Sequence, residues 1–154
     1  MKIVVDSNIV FSSILNTQGK LGQLLINGAR FFDFYSIGLL KDEILEHRKK
    51  IMKLSGFDEL QFEQTYQLII DKIKFIDDVL LSDDDIDKAV VLVKDIDEND
   101  LLFVALNYHL NSTLWTGDKR LVNGLKKKGY NRFITTDELY EKYLDKEATA
   151  RMKI

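Results

Sequence analysis

Hydrophobic positions along this chain keep two rhythms in alternation. Short apolar or aromatic runs at residues 3–5, 31–36, 74–76, 112–116 and 130–135 read as buried strands. Between them, apolar residues recur every three or four positions, as a helix with one buried face requires. That spacing predicts helices over residues 8–28 (with a break near Thr17-Gln18-Gly19), 39–54, 58–72, 82–94, 97–110 and 119–128, and a last one from Thr135. The 39–54 stretch reads as one long helix, because Leu40, Ile44, His47, Ile51 and Leu54 share a face. The 97–110 stretch is apolar nearly all round, so it should be deeply buried. Asp58 with Gln61, and Thr135 with Glu138, have the three-residue spacing of capping boxes.

Strands alternating with helices argue for an α/β fold: a three-layer α/β/α sandwich on a central, mainly parallel sheet of four to five strands. With no proline, no low-complexity stretch and no internal repeat, the chain reads as one domain over residues 1–144 with a loose tail at 145–154. A length of 154 residues and a hydrophobic share of 45% suffice for a core without staples. The absence of cysteine removes disulfides, thiolate metal sites and cysteine nucleophiles. No apolar run approaches the roughly 20 residues of a membrane span, and the opening Met1-Lys2-Ile3-Val4-Val5-Asp6 is too soon acidic for a signal peptide. The expectation is a cytoplasmic protein that makes no membrane contact.

Charge changes the picture next. The formal net charge is −3, so a nucleic-acid partner would have to be attracted locally or through bound cations. Two histidines are too few for a histidine-built metal site. A metal here would be held by carboxylates, which selects a hard ion such as Mg²⁺ or Mn²⁺. Asp6 and Asp118 each follow a strand directly, Asp100 lies at the start of the buried helix, and Glu43 sits beside the stripe of the long helix. Glu43 is about 60° from Leu40 around that helix, against about 120° for its rival Glu46. Each acid has a structural alternative. Aspartates between strand and helix are ordinary N-caps, Asp97 and Asp100 are spaced as a capping pair, and Glu43 suits a solvated helix rim.

Topology links them. In an open parallel sheet, strand-to-helix turns emerge at the carboxyl ends of the strands, where ligands bind. Carboxylates converging there repel one another unless a cation lies between them. A carboxylate-held Mg²⁺ favours phosphate oxygens as further ligands and acidifies a water, which is the chemistry of phosphodiester hydrolysis. A receiver domain needs paired acids after the first strand, and a haloacid-dehalogenase-type phosphatase needs Asp-x-Asp. Asp6-Ser7-Asn8 supplies neither.

Four segments carry a resemblance. They are Val4-Val5-Asp6-Ser7-Asn8-Ile9, Leu39-Leu40-Lys41-Asp42-Glu43-Ile44, the stretch from Asp97 through Asp100 to Leu106, and Leu114-Trp115-Thr116-Gly117-Asp118. In that order and spacing, over residues 1 to about 143, the sequence resembles the PIN-domain ribonucleases, which include VapC-type toxins. The resemblance implies metal binding by Asp6, Glu43, Asp100 and Asp118, with Asp6 central and Asp118 more distant. It gives Asn8 and Thr116 the role of orienting carboxylates by hydrogen bonds, and leaves Asp97 either a supporting acid or a plain cap. It also implies an RNA substrate, a homodimer and, for a toxin, an antitoxin partner. The alternative is a catalytically silent module of the same fold that binds RNA or protein.

Residues 119–132 carry a local balance of +6, and Lys119 and Arg120 are the candidates to hold RNA phosphates because they follow Asp118 directly. Residues 77–100 carry −8, a solvated acidic face or a dock for a basic partner.

Overall fold

The computed structural model describes residues 1–153. β1 (Lys2–Val5), β2 (Asp33–Ile37), β3 (Lys74–Ile76), β4 (Thr113–Trp115) and β5 (Phe133–Ile134) form a single sheet in the order β3-β2-β1-β4-β5. Every pairing is parallel, with Val4 level with both Tyr35 and Leu114. Such strands must be apolar on both faces. Accordingly Ile3, Val4, Val5, Phe34, Leu114 and Trp115 are all buried.

The connections are α1 (Ser7–Leu15) and α2 (Lys20–Gly28), then α3 (Leu39–Glu46), α4 (Arg48–Ser55) and α5 (Glu59–Ile70). After β3 come α6 (Asp83–Val93) and α7 (Leu101–Leu110), then α8 (Lys119–Lys127) and the terminal α9 (Thr136–Met152). From β1 to β3 the chain steps one way along the sheet, then jumps back past β1 to β4. With right-handed crossovers that reversal sends later helices to the opposite face. Contacts follow: α1 packs on α2, α4 and α5, and α2 on α9, whereas α6 packs on α7 and α8, and α7 crosses β1, β2 and β4. The result is the three-layer α/β/α sandwich the alternation predicts, with five strands and no antiparallel member.

Four local expectations need correction. The long helix over 39–54 is two helices, bent at His47 (φ −94°, ψ 13°). No proline or glycine marks the bend; α4 leaves the axis of α3 to pack on α1 and α5, so tertiary contact decides it. The shared stripe is accordingly interrupted at His47, which is exposed, resumes at Ile51, and ends before the exposed Leu54.

The strands expected at 31–36 and 130–135 begin later. The amides of Phe31 and Phe32 donate back to the Gly28 carbonyl, closing α2, and the Tyr130 amide donates to Leu125 at the end of α8. Gly129, at φ 79°, makes that second reversal, a left-handed geometry open to glycine. Residues 98–100 form a 3₁₀ turn, so α7 starts only at Leu101. Finally, residues 145–152 are no loose tail: they continue α9, where Glu147 pairs with Arg30.

The α1–α2 corner that seats the start of the site is tight. An added Cβ on Gly22 would lie 2.6 Å from the Thr17 carbonyl oxygen, a backbone atom that cannot swing away. Alanine gains about 1 kcal/mol of helix propensity over glycine, but overpacking of this kind costs about 1–3 kcal/mol. Gly22→Ala is therefore expected to lower the urea midpoint of unfolding; an unchanged or raised midpoint would mean the Thr17 turn yields freely.

Candidate metal centre

β1 ends at Val5 because Asp6 begins the turn into α1. Its Oδ1 accepts the Ser7 amide at 2.7 Å and caps the helix, the ordinary role of an aspartate at that place. Its other oxygen has a different use. β4 is the sheet neighbour of β1, and the Asp6 amide donates to the Trp115 carbonyl, bringing Thr116 level with Asp6. The Thr116 hydroxyl donates to Asp6 Oδ2 at 2.7 Å and accepts the Asp118 amide at 3.1 Å. One hydroxyl thus joins the carboxylate after β1 to the loop after β4.

Asp118 in turn caps α8, its Oδ1 accepting the Arg120 and Leu121 amides. Asn8 bonds no carboxylate through its Oδ1, which instead accepts the Gly117 amide at 3.4 Å and steadies the same loop. The strand order reverses between β1 and β4, so these residues occupy the switch point where open α/β sheets bind ligands.

Glu43 approaches from α3 and Asp100 from the end of the 3₁₀ turn. With Asp6, both line one cleft of about 360 Å³, whose wall also includes Asp97, Glu46 and His47. Asp118 does not line it, but its charge acts on both Asp6 and Asp100. Asp97 caps the 3₁₀ turn through the Asn99 amide at 2.9 Å. Asp100 makes no cap bond, so the two do not form the capping pair their spacing suggests. Glu46 is more exposed than Glu43, as the helix geometry predicts.

Electrostatics set this cleft apart. Asp6 is only 3% exposed. Burial pushes its carboxyl above the usual range, against the Thr116 and Ser7 hydrogen bonds that favour its charge, and Glu43 and Asp118 push it further. Asp100 is raised to about 8, first by burial and then by the charges of Asp6, Asp97, Asp118 and Glu43. Its Oδ2 is buried with no hydrogen-bond partner, a costly state for a carboxylate oxygen unless it binds something.

Among the described residues no group of three or more histidine or acidic side chains stands as a ready-made metal cage. The donor set nevertheless fits a hard divalent ion. Its members are carboxylates, two of them resist ionising next to the others, and Asp100 directs an unpartnered oxygen into buried space.

The basic candidates separate. Lys119 lines a hollow beside Thr116 and Asp118, whereas Arg120 lines another with Asp95 and Lys127. Lys128 is used internally, donating to the Val91 and Leu92 carbonyls and pairing with Asp95, and Arg132 is bonded to Asn111. Ser7 and His47, absent from the sequence candidates for this site, also border the cleft. Ser7 is signalled by its place between Asp6 and Asn8, and His47 by its place one helical turn after Glu43, a spacing that packing or plain exposure would equally explain.

Three solved structures share this architecture at low sequence identity. VapBC2 from Rickettsia felis, bound to a DNA fragment from their promoter, has a TM-score of 0.61 at 18% identity, over 88% of this chain and 97% of that one. PAE2754 from Pyrobaculum aerophilum has 0.66 at 14%, over 94% and 90%. A PilT N-terminus domain protein, SSO1118 from Sulfolobus solfataricus, has 0.53 at 15%, over 94% of each. A search of curated protein sequences finds no match. The sequence profile of the PIN domain matches residues 4–152, nearly the whole chain, and this protein therefore belongs to the PIN domain family.

Proposed function

We propose that this chain is an endoribonuclease dependent on Mg²⁺ or Mn²⁺, hydrolysing phosphodiester bonds of single-stranded or structured RNA. The family is generally one of nucleases. The observation that carries the reading is the cleft that Asp6, Glu43 and Asp100 line together, with one carboxyl oxygen of Asp100 buried and without a partner.

Asp6, Glu43, Asp100 and Asp118 would hold the ion. When bound, such an ion supplies an acidified water and neutralises charge on the leaving oxygen. The chain's own residues do the positioning. Thr116 fixes the Asp6 carboxylate and the Asp118 backbone together, so the two strand ends present their acids as a unit. Asn8 holds Gly117 in the same unit. Asp97 keeps the 3₁₀ turn that sets Asp100. Lys119, in the same hollow as Asp118, would meet a phosphate, and Arg120 would add charge from the hollow it lines with Asp95 and Lys127.

The fold likeness to VapBC2 supports the further reading of a toxin with an antitoxin partner. A homodimer in the cytoplasm completes the proposed reading. No described helix is long and apolar enough to cross a membrane.

The test is cleavage of labelled single-stranded RNA with Mn²⁺, with EDTA, and in two variants. Cleavage is expected with Mn²⁺ and not with EDTA. Glu43→Gln should lose about a hundredfold or more, since removing a residue that holds the ion costs at least as much as removing a partner that merely orients one. Glu46→Gln should stay within a few fold. Cleavage that survives EDTA, or equal losses in the two variants, would overturn the assignment. RNA binding without any cleavage would favour the silent module.

A further inference from the structure

The wall of the acidic cleft has another side. Ser7, Asn8, Glu43 and His47 border not only that cleft but also a hollow of about 280 Å³ that extends to Phe11 and Lys50. The two spaces touch along four shared residues, yet their chemistry is opposite. The cleft adds Asp6, Asp97 and Asp100; the hollow adds the half-buried ring of Phe11 and the exposed ammonium of Lys50, 5.8 Å from the ring centroid.

Behind Lys50, α4 also exposes Lys49 and Lys53, and none of the three enters an ion pair among the described residues. Arg48 is different, because Glu63 engages it at 3.0 Å. The bend at His47 produces this juxtaposition: it lets α4 pack on α1, the helix that carries Phe11.

An acidic cleft by itself repels a polyanion until it is loaded with cations. A neighbouring groove that Lys50 lines, with Lys49 and Lys53 exposed on the same helix, supplies the missing attraction. The half-buried ring of Phe11 beside it adds the aromatic surface that single-stranded nucleic acid uses. A protein segment would also fit an apolar hollow, but unpaired lysines beside a ring suit a phosphodiester chain better. Resting on the nuclease reading above, we infer that the groove between α1 and α4 seats the nucleotide adjoining the phosphate at the acidic cleft. Its base lies against Phe11 and its phosphate meets Lys50, with His47 at the junction between the two spaces. The occupant is single-stranded RNA, because a duplex keeps its bases stacked on one another.

The inference is tested by anisotropy with a short fluorescein-labelled oligouridine in EDTA, so that no cleavage intrudes, across a salt series. Phe11→Leu should weaken binding about tenfold, the scale of one lost base stack. Lys50→Gln should weaken it several fold and flatten the log–log salt slope by about 0.7, one phosphate contact on a single strand. Lys142→Gln, an exposed lysine of α9, should change neither. Thermal melting checks each fold, and Phe11→Tyr, which keeps a stacking ring, should retain affinity. In parallel, 5-iodouridine in the same oligonucleotide should photo-crosslink to Phe11 in the unaltered protein.

Unchanged affinity and slope in both variants, or crosslinks confined to α8, overturn the subsite and leave the groove to a protein segment. The nuclease reading survives that outcome if Mn²⁺-dependent cleavage persists. If the unaltered protein neither binds nor cleaves RNA, both fall.

Discussion

Asp6→Asn is expected to reduce Mn²⁺-dependent RNA cleavage by at least about a thousandfold while the metal-free protein becomes more stable. The loss follows from the charge. A ligand carboxylate at the centre of the site supports several kcal/mol of transition-state stabilisation, and each 1.36 kcal/mol is tenfold in rate.

The stability gain has the opposite origin. Without an ion, Asp6 is a buried acid that Glu43 and Asp118 discourage from ionising, and the amide removes that repulsion. Asparagine Oδ1 still accepts the Ser7 amide, so the α1 cap survives. Its Nδ2 can donate to the Thr116 oxygen, which has two lone pairs and already accepts only the Asp118 amide. A gain of about 1 kcal/mol is expected in urea unfolding with EDTA present. Cleavage at the unaltered rate in this variant would remove Asp6 from the site.

The second large effect needs no substrate. Metal-free protein should lose on the order of 2–3 kcal/mol of stability between pH 5 and pH 7.5 through Asp100 alone. In the unfolded chain this carboxyl releases its proton near pH 4, whereas in the folded cleft it holds it to about 8. Across that interval the native state binds more protons, so raising the pH favours unfolding. Below pH 4 the group is neutral in both states and contributes nothing. Asp85 and Asp95, whose hydrogen-bonded partners hold them below the usual range, are ionised in both states through this window and drop out. Urea titrations in EDTA at several pH values read the slope. Asp6, whose carboxyl burial also raises, adds a slope of the same sign. Asp100→Asn should therefore make the profile shallower, and Mn²⁺ should raise stability most at the alkaline end, where the ionised carboxylate is available. A flat profile in the unaltered protein would mean that Asp100 is not held neutral.

Much of the architecture is legible in the chain because it depends on local rules. The three-residue caps at Asp58 and Thr135 both form as spaced, since a capping box involves only its own turn. The runs at Ile3–Val5 and Leu114–Trp115 reach the sheet interior, because a parallel strand buried on both faces has no polar side to mislead the eye. Misreadings occur where the same pattern serves two conformations. Phe31 and Phe32 are as aromatic as a strand but belong to the close of α2. His47 keeps the helical period while the chain bends beneath it. The four lysines and two arginines of residues 119–132 read as one basic patch, yet Lys128 and Arg132 are engaged within the chain by the Val91 and Leu92 carbonyls and by Asn111.

By itself the sequence determined that acids stand at the ends of strands, in what order, on which class of fold, and that with two histidines and no cysteine a metal would have to rely on carboxylates. Periodicity and capping are properties of neighbours along the chain, so they survive without coordinates. Tertiary structure alone decided that β1 and β4 lie side by side, that the Thr116 hydroxyl meets Asp6, that Asp100 buries an oxygen without a partner, and that α4 brings Lys50 to Phe11. Each of these joins residues distant along the chain, and strand order and packing arise from the burial of the whole core rather than from any one segment's preference.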